Sequence, residues 1–337
     1  MKKLAFGGCA VRCIAIPLLA ICAAPVLAAT GTAAADTFFV RPIADCPNNG
    51  DGLAFNCAAS PGASGAWHMS GVSFSTTTGV DDGDTVKFCG SFAAADFDTS
   101  TYMLFVNSSM TAASESARIT FDADCSAYMT NPGSWTDRNG VTRTGAVWDG
   151  EYALTYGINA TNDAGNNYLT IKNIEFKRFT TAAVSTKCSP ATSDPVAPMY
   201  ENIYCENVGK CINTAGLNYE MRGITALHTS SDAIFVCNGK GTAGYGKIYD
   251  TLLEDVAATV NGATDSTADG IQIEDQSAGA LIQGSTVSRG DGAKSCWIMG
   301  SSSGANIADD LVCLRSAPAT SFGGITVDGA ASGSRVS

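Results

Sequence analysis

Cations are scarce in this chain. Its 337 residues carry 20 Lys and Arg against 32 Asp and Glu, with two His, for a formal charge of −12. Nucleic-acid binding needs a basic face to meet the phosphates, and no Lys/Arg cluster supplies one, so nucleic acid is set aside as a partner. The two histidines, His68 and His228, lie far apart, which argues against a two-histidine metal site. No Cys-x-x-Cys pair occurs, so the common zinc spelling is missing as well. Heptad and helical periods are also missing, which argues against a βαβ sheet. Gly239-Lys240-Gly241-Thr242-Ala243-Gly244 spells a dinucleotide loop, but no helical pattern follows it, and it reads as a connecting loop.

What the chain does contain is a recurrent bend. An apolar residue is followed two positions later by Asn, Gly or Asp and then by another apolar residue: Ile171 to Asn173, Tyr200 to Asn202, Met221 to Gly223, Ile248 to Asp250, Ile282 to Gly284 and Ile307 to Asp309. Asn, Gly and Asp enter the left-handed backbone region at least cost, so each instance predicts two short strands meeting at a sharp turn. Apolar strings at 211–213, 233–236, 270–273, 296–299 and 324–327 then supply a third strand per repeat. Strands recurring every 20 to 35 residues or so predict an all-β solenoid.

The chain resembles the right-handed parallel β-helix proteins of the pectin-lyase-like superfamily. The resemblance rests on Asp36-Thr37-Phe38-Phe39-Val40-Arg41-Pro42 followed by Asn49-Gly50-Asp51-Gly52, on Gly83-Asp84-Thr85-Val86-Lys87-Phe88, on residues 167–176, and on Ala268-Asp269-Gly270-Ile271-Gln272-Ile273. It implies an all-β, right-handed parallel β-helix with three short strands per coil. It does not select one activity, because the superfamily includes lyases, hydrolases, epimerases, phage tail proteins and adhesins.

Residues 1–35 read as a secretory signal: Lys2 and Lys3, an apolar run through Ile14 to Ala24, and small residues before cleavage after Ala28 or Ala35. That run is too short for a stable membrane span. Loss of Lys2, Lys3 and Arg12 takes the charge from −12 to −15. The expected product is a secreted acidic protein, with residues 36–82 as an irregular N-terminal cap and 83–337 as a β-helix incomplete at its C-terminus. Excursions at 91–116, 126–144, 186–198, 238–246 and 255–267 interrupt the coils.

Removal of Cys9, Cys13 and Cys22 with the signal leaves ten cysteines, an even number that suits an oxidising compartment. Coils stacked about 4.8 Å apart place neighbouring cysteines within disulfide reach. The expected pairs are Cys46 with Cys57, Cys89 with Cys125, and Cys296 with Cys313. Cys188, Cys205, Cys211 and Cys237 are left to pair among themselves, and buried thiols are the alternative for some of them.

If Ile234, Val236, Ile271, Ile273, Cys296, Ile298, Ile325 and Val327 point inward, alternation turns Phe235, Gln272, Trp297 and Thr326 outward as a substrate-binding ladder. Aromatic faces and amides in such a row suit a polysaccharide. The expected catalytic centre joins Arg289 or Lys294 as base to Asp269 and Asp291, with Asp269, Glu274 and Asp291 holding Ca²⁺ for elimination on an acidic glycan. Ala268-Asp269-Gly270 and Gly290-Asp291-Gly292 are also similar to polygalacturonase elements, but Ala268 and Gly292 depart from that pattern, and a diverged glycoside hydrolase or a non-catalytic adhesion module are the alternatives. Asp232 and Asp269 equally suit turns that precede a strand.

Overall fold

The computed structural model describes residues 35–72, 79–97, 101–106, 112, 114–137, 139–160, 168–186, 197–215, 218–237, 246–274, 279–289, 296–299, 306–315, 325–327 and 335–336. Among these the architecture is all-β and mostly parallel. One sheet has sixteen strands, a second has eight, and a two-stranded antiparallel hairpin stands apart. Three 3₁₀ turns are the only helical elements among the described residues. No described helix is long and apolar enough to cross a membrane.

The sixteen-stranded sheet has two arms. Leu169–Lys177 and Met199–Val208 run through both, each bending at an asparagine: Asn173 at φ 61° and Asn202 at φ 51°. In later repeats the bend separates two strands, as at Gly223, Asp250 and Gly284, which also have positive φ. The last bend falls at Asp310 (φ 52°) and not at Asp309. Ala308, fully buried and in register with Ile282, takes the inward position that Ile307 was expected to hold.

Side chains at this bend help to fix the register. Asn173 Nδ2 donates to Asp122 Oδ1 at 2.7 Å, and Asn202 Nδ2 donates to Asn173 Oδ1 at 3.1 Å. On the outer face of the first arm, Lys87, Asp122, Lys172, Glu201 and Arg222 stand in register with alternating sign. Lys87 Nζ lies 2.7 Å from Asp122 and Lys172 Nζ lies 3.6 Å from it. Such pairs add little stability singly but penalise a one-strand slip that would stack like charges.

From Glu220 onward the repeat is plain. Strands Glu220–Arg222, Thr225–Thr229 and Ile234–Cys237 belong to the first arm, the second arm and the eight-stranded sheet, and the next three strands pair with them in the same order. The inward rows of both sheets join one hydrophobic cluster. Toward its beginning the cluster is aromatic, with Trp148 between Phe88 (centroids 4.9 Å apart) and Phe176 (5.4 Å). Thr37–Val40, expected in an irregular cap, is instead a strand paired with Thr85–Phe88.

The Cys46–Cys57 and Cys89–Cys125 bonds are present, as is Cys205–Cys211, and Cys237 is also disulfide-bonded. Cys188 lies outside the described residues. The structure does not join Cys296 to Cys313. Cys296 precedes its strand, with Sγ 3.9 Å from the Val287 carbonyl, while Cys313 sits in the strand after Val287 on the second arm.

Candidate functional site

The eight-stranded sheet carries an outward row that includes Phe235 and Gln272 of the expected ladder. In its inward row, Leu104, Ile158, Val184, Ile212, Ile234, Ile271 and Trp297 follow one another in register. Their neighbours take the outward register positions: Phe105, Asn213, Phe235 and Gln272 are partly exposed, while Asn159 and Ser185 are buried. Five strand steps of about 4.8 Å make this row about 24 Å long. It has aromatic rings at Phe105 and Phe235 with three hydrogen-bonding side chains between them. Asn213 Nδ2 donates to Ser185 Oγ at 3.3 Å. Asn159 is 8% exposed, and its Oδ1 makes no hydrogen bond.

Two expected members of the ladder, Phe235 and Gln272, are adjacent in register. Gln272 Nε2 donates to Glu274 Oε1 at 2.9 Å, which draws Glu274 onto the same face. Trp297 is not on that face. It pairs with inward Ile271 and is 1% exposed, so it is a core residue. Ile298 holds the outward register position, with Thr326 after it. The side chains of Thr326 and Arg289 are outside the described residues, as are Asp291 and Lys294 altogether.

Asp269 does not stand on the open face either. It is 1% exposed, its N–H donates to Asp232 Oδ1 at 2.8 Å, and its carbonyl accepts from Ala233 N–H at 3.2 Å. Asp232 in turn pairs with the Lys210 ammonium, which also donates to Ser231 Oγ at 2.8 Å. Ser231 Oγ reaches Asp265 at 3.1 Å, where hydrogen bonds from Thr267 lead the causes that hold the carboxyl below its usual range. Asp232 thus ties the start of its strand to the backbone of the next repeat. Lys210 Nζ sits 5.0 Å from the Phe235 ring centroid, over one face of the ring. Among the described residues, no group of three or more His, Cys, Asp and Glu side chains is placed to hold a metal ion.

The second arm gathers a different set. Glu175 faces outward yet is buried, and burial pushes its carboxyl up in spite of the Lys177 ammonium 2.8 Å away. Lys177 also reaches Glu206 at 3.8 Å. Tyr204, in register with Glu175 and packed against Trp135, is pushed up to about 12, first by burial and then by Glu206, Glu175 and Glu254. A carboxyl raised in the folded chain contributes stability below the ordinary glutamate value of 4.5, and that contribution is lost as pH rises through the folded value. Glu175→Gln should therefore gain stability relative to the native chain as pH increases from 4 to 8. Urea midpoints across that range check this; a constant difference would contradict it.

At the end of the second arm lies a second line of left-handed residues: Arg178 (φ 56°), Asn207 (56°), His228 (54°) and Asp255 (51°). His228 Nδ1 lies 2.6 Å from Asp255 Oδ2. Beside them opens a polar groove of about 400 Å³ lined by Asn207, His228, Asp255, Ala257, Ala258 and Thr259. In the sequence His228 stands out only as one of two histidines, because Arg and His do not mark bends as Asn and Gly do.

No protein-family model, curated protein or solved structure matches the chain. The functional reading accordingly rests on the chain's own register, which assembles an aromatic and amide row from six successive strands.

Proposed function

We propose that this chain is a secreted, right-handed parallel β-helix protein that binds a neutral polysaccharide along the outer row from Phe105 to Gln272. The observation that carries the reading is the register itself. Six strands contribute one outward side chain each, with stacking surface at Phe105 and Phe235 and amide and hydroxyl groups between and beyond them, of which Asn159 and Ser185 are buried. A neutral glycan fits better than an anionic one. Lys210, the cation beside the row, is committed to Asp232, and the chain is strongly acidic. The reading is of binding: Asp269, expected both as catalyst and as metal ligand, is buried, and Asp291, Lys294 and the Arg289 side chain lie outside the described residues, so the row itself carries the argument.

Affinity electrophoresis against neutral and anionic polysaccharides tests the proposal. The native chain should be retarded by at least one neutral polysaccharide, and Phe235→Ala should weaken that binding about tenfold, as expected for loss of one stacked ring. Phe235 is partly exposed, so the variant keeps its fold. Retardation by anionic polymers alone, or by none, contradicts the proposal.

A further inference from the structure

The groove beside His228 has the parts of a reaction centre, and it lies on a different face from the glycan row. Asp255 is a carboxylate and accepts only, so the 2.6 Å contact fixes the imidazole with its proton on Nδ1 and leaves the Nε2 lone pair for the groove. His228 is 49% exposed, so that nitrogen meets solvent and small solutes. The bend itself does not call for an imidazole. Asn207 and Asp255 make the same left-handed turn on the strands to either side. Asn207 also lines the groove, one strand from His228.

We propose that His228 and Asp255 act as a general-base pair that hydrolyses a small carboxylic ester in this groove. His228 Nε2 takes a proton from a water molecule as the water oxygen bonds to the ester carbonyl carbon. The carbonyl π electrons move onto oxygen, and the Asn207 amide N–H stabilises that oxyanion. On collapse the C–O bond to the alcohol breaks and the alkoxide takes the proton from His228. The products are a carboxylic acid and an alcohol, and no oxidant or metal enters the balance. Asp255 is a positioning residue: it holds the tautomer and stabilises the imidazolium that forms.

The test uses the full chain with p-nitrophenyl acetate as probe, following many turnovers so that single acylation of a surface group is not counted. Removal of the base by His228→Ala should lower kcat/KM about 100-fold. Asp255→Asn should lower kcat about tenfold with little change in KM, and Asn207→Ala should lower kcat by a similar factor. His228 and Asp255 are well exposed, so circular dichroism should show the variants at these two positions folded. Turnover by His228→Ala equal to that of the native chain overturns the assignment, as does release of one equivalent of p-nitrophenolate without turnover. A probe this small does not engage the glycan row, so failure here leaves that reading untouched.

Discussion

Asp232→Ala is expected to destabilise the chain by about 3 to 5 kcal/mol, the range for removing one partner of a buried ion pair. Asp232 is buried, one carboxylate oxygen taking the Lys210 ammonium and the other the Asp269 N–H. Its loss leaves a largely buried ammonium without this countercharge. The pair joins the beginnings of two successive strands of the eight-stranded sheet, so the strain falls where Phe235 is positioned. Replacing both partners with apolar residues of similar size, Asp232→Leu with Lys210→Met, should recover most of the loss, because no buried charge then remains. Chemical denaturation of the native chain, the single variant and the double variant checks both statements. A single variant within 1 kcal/mol or so of native would mean that the network does not hold the turn, and a catalytic role for these carboxylates would regain its footing.

That network shows where sequence reading succeeds and where it stops. The bends at Asn173, Asn202, Gly223, Asp250 and Gly284 were legible because left-handed preference is a property of the single residue. The shift to Asp310 was hidden by Ala308, a small residue whose inward place only pairing with Ile282 reveals. Trp297 was misplaced for a related reason. Cys296-Trp297-Ile298-Met299 is apolar at every position, so alternation gives no frame, and a slip of one residue exchanges inner and outer faces. Contact with Ile271 sets the frame. Asn159, Ser185 and Asn213 are ordinary polar residues in sequence; they become a row only when separate strands are brought into register. The His228–Asp255 pair likewise depends on a contact between neighbouring strands.

Removing the Cys89–Cys125 bond, with both cysteines changed to alanine, is expected to lower stability by about 4 kcal/mol. The bond closes 36 residues of chain, and the loop-closure relation gives about that value at 25 °C. The same relation gives about 3 kcal/mol for Cys46–Cys57, separated by 11 residues, and about 2 kcal/mol for Cys205–Cys211, separated by 6. The ranking is therefore the sharper expectation, since errors common to the three bonds cancel in it. Cys89 and Cys125 also follow neighbouring strands paired through Lys87 and Asp122, and their sulfurs fill a small separate cluster with Phe39 and Ala66. That cluster is cut off from the main core, so the truncations remove packing as well as a covalent tie, which should widen the gap from the other two bonds. In a repeating architecture each strand layer leans mainly on its neighbours, so the effect should concentrate near Thr85–Phe88 and Ile119–Asp122. Hydrogen exchange should show faster opening of these two strands than of Ile234–Cys237. Uniform loss of protection along the chain, or a cost below that of removing Cys205–Cys211, would show that the bond does not act as a local staple.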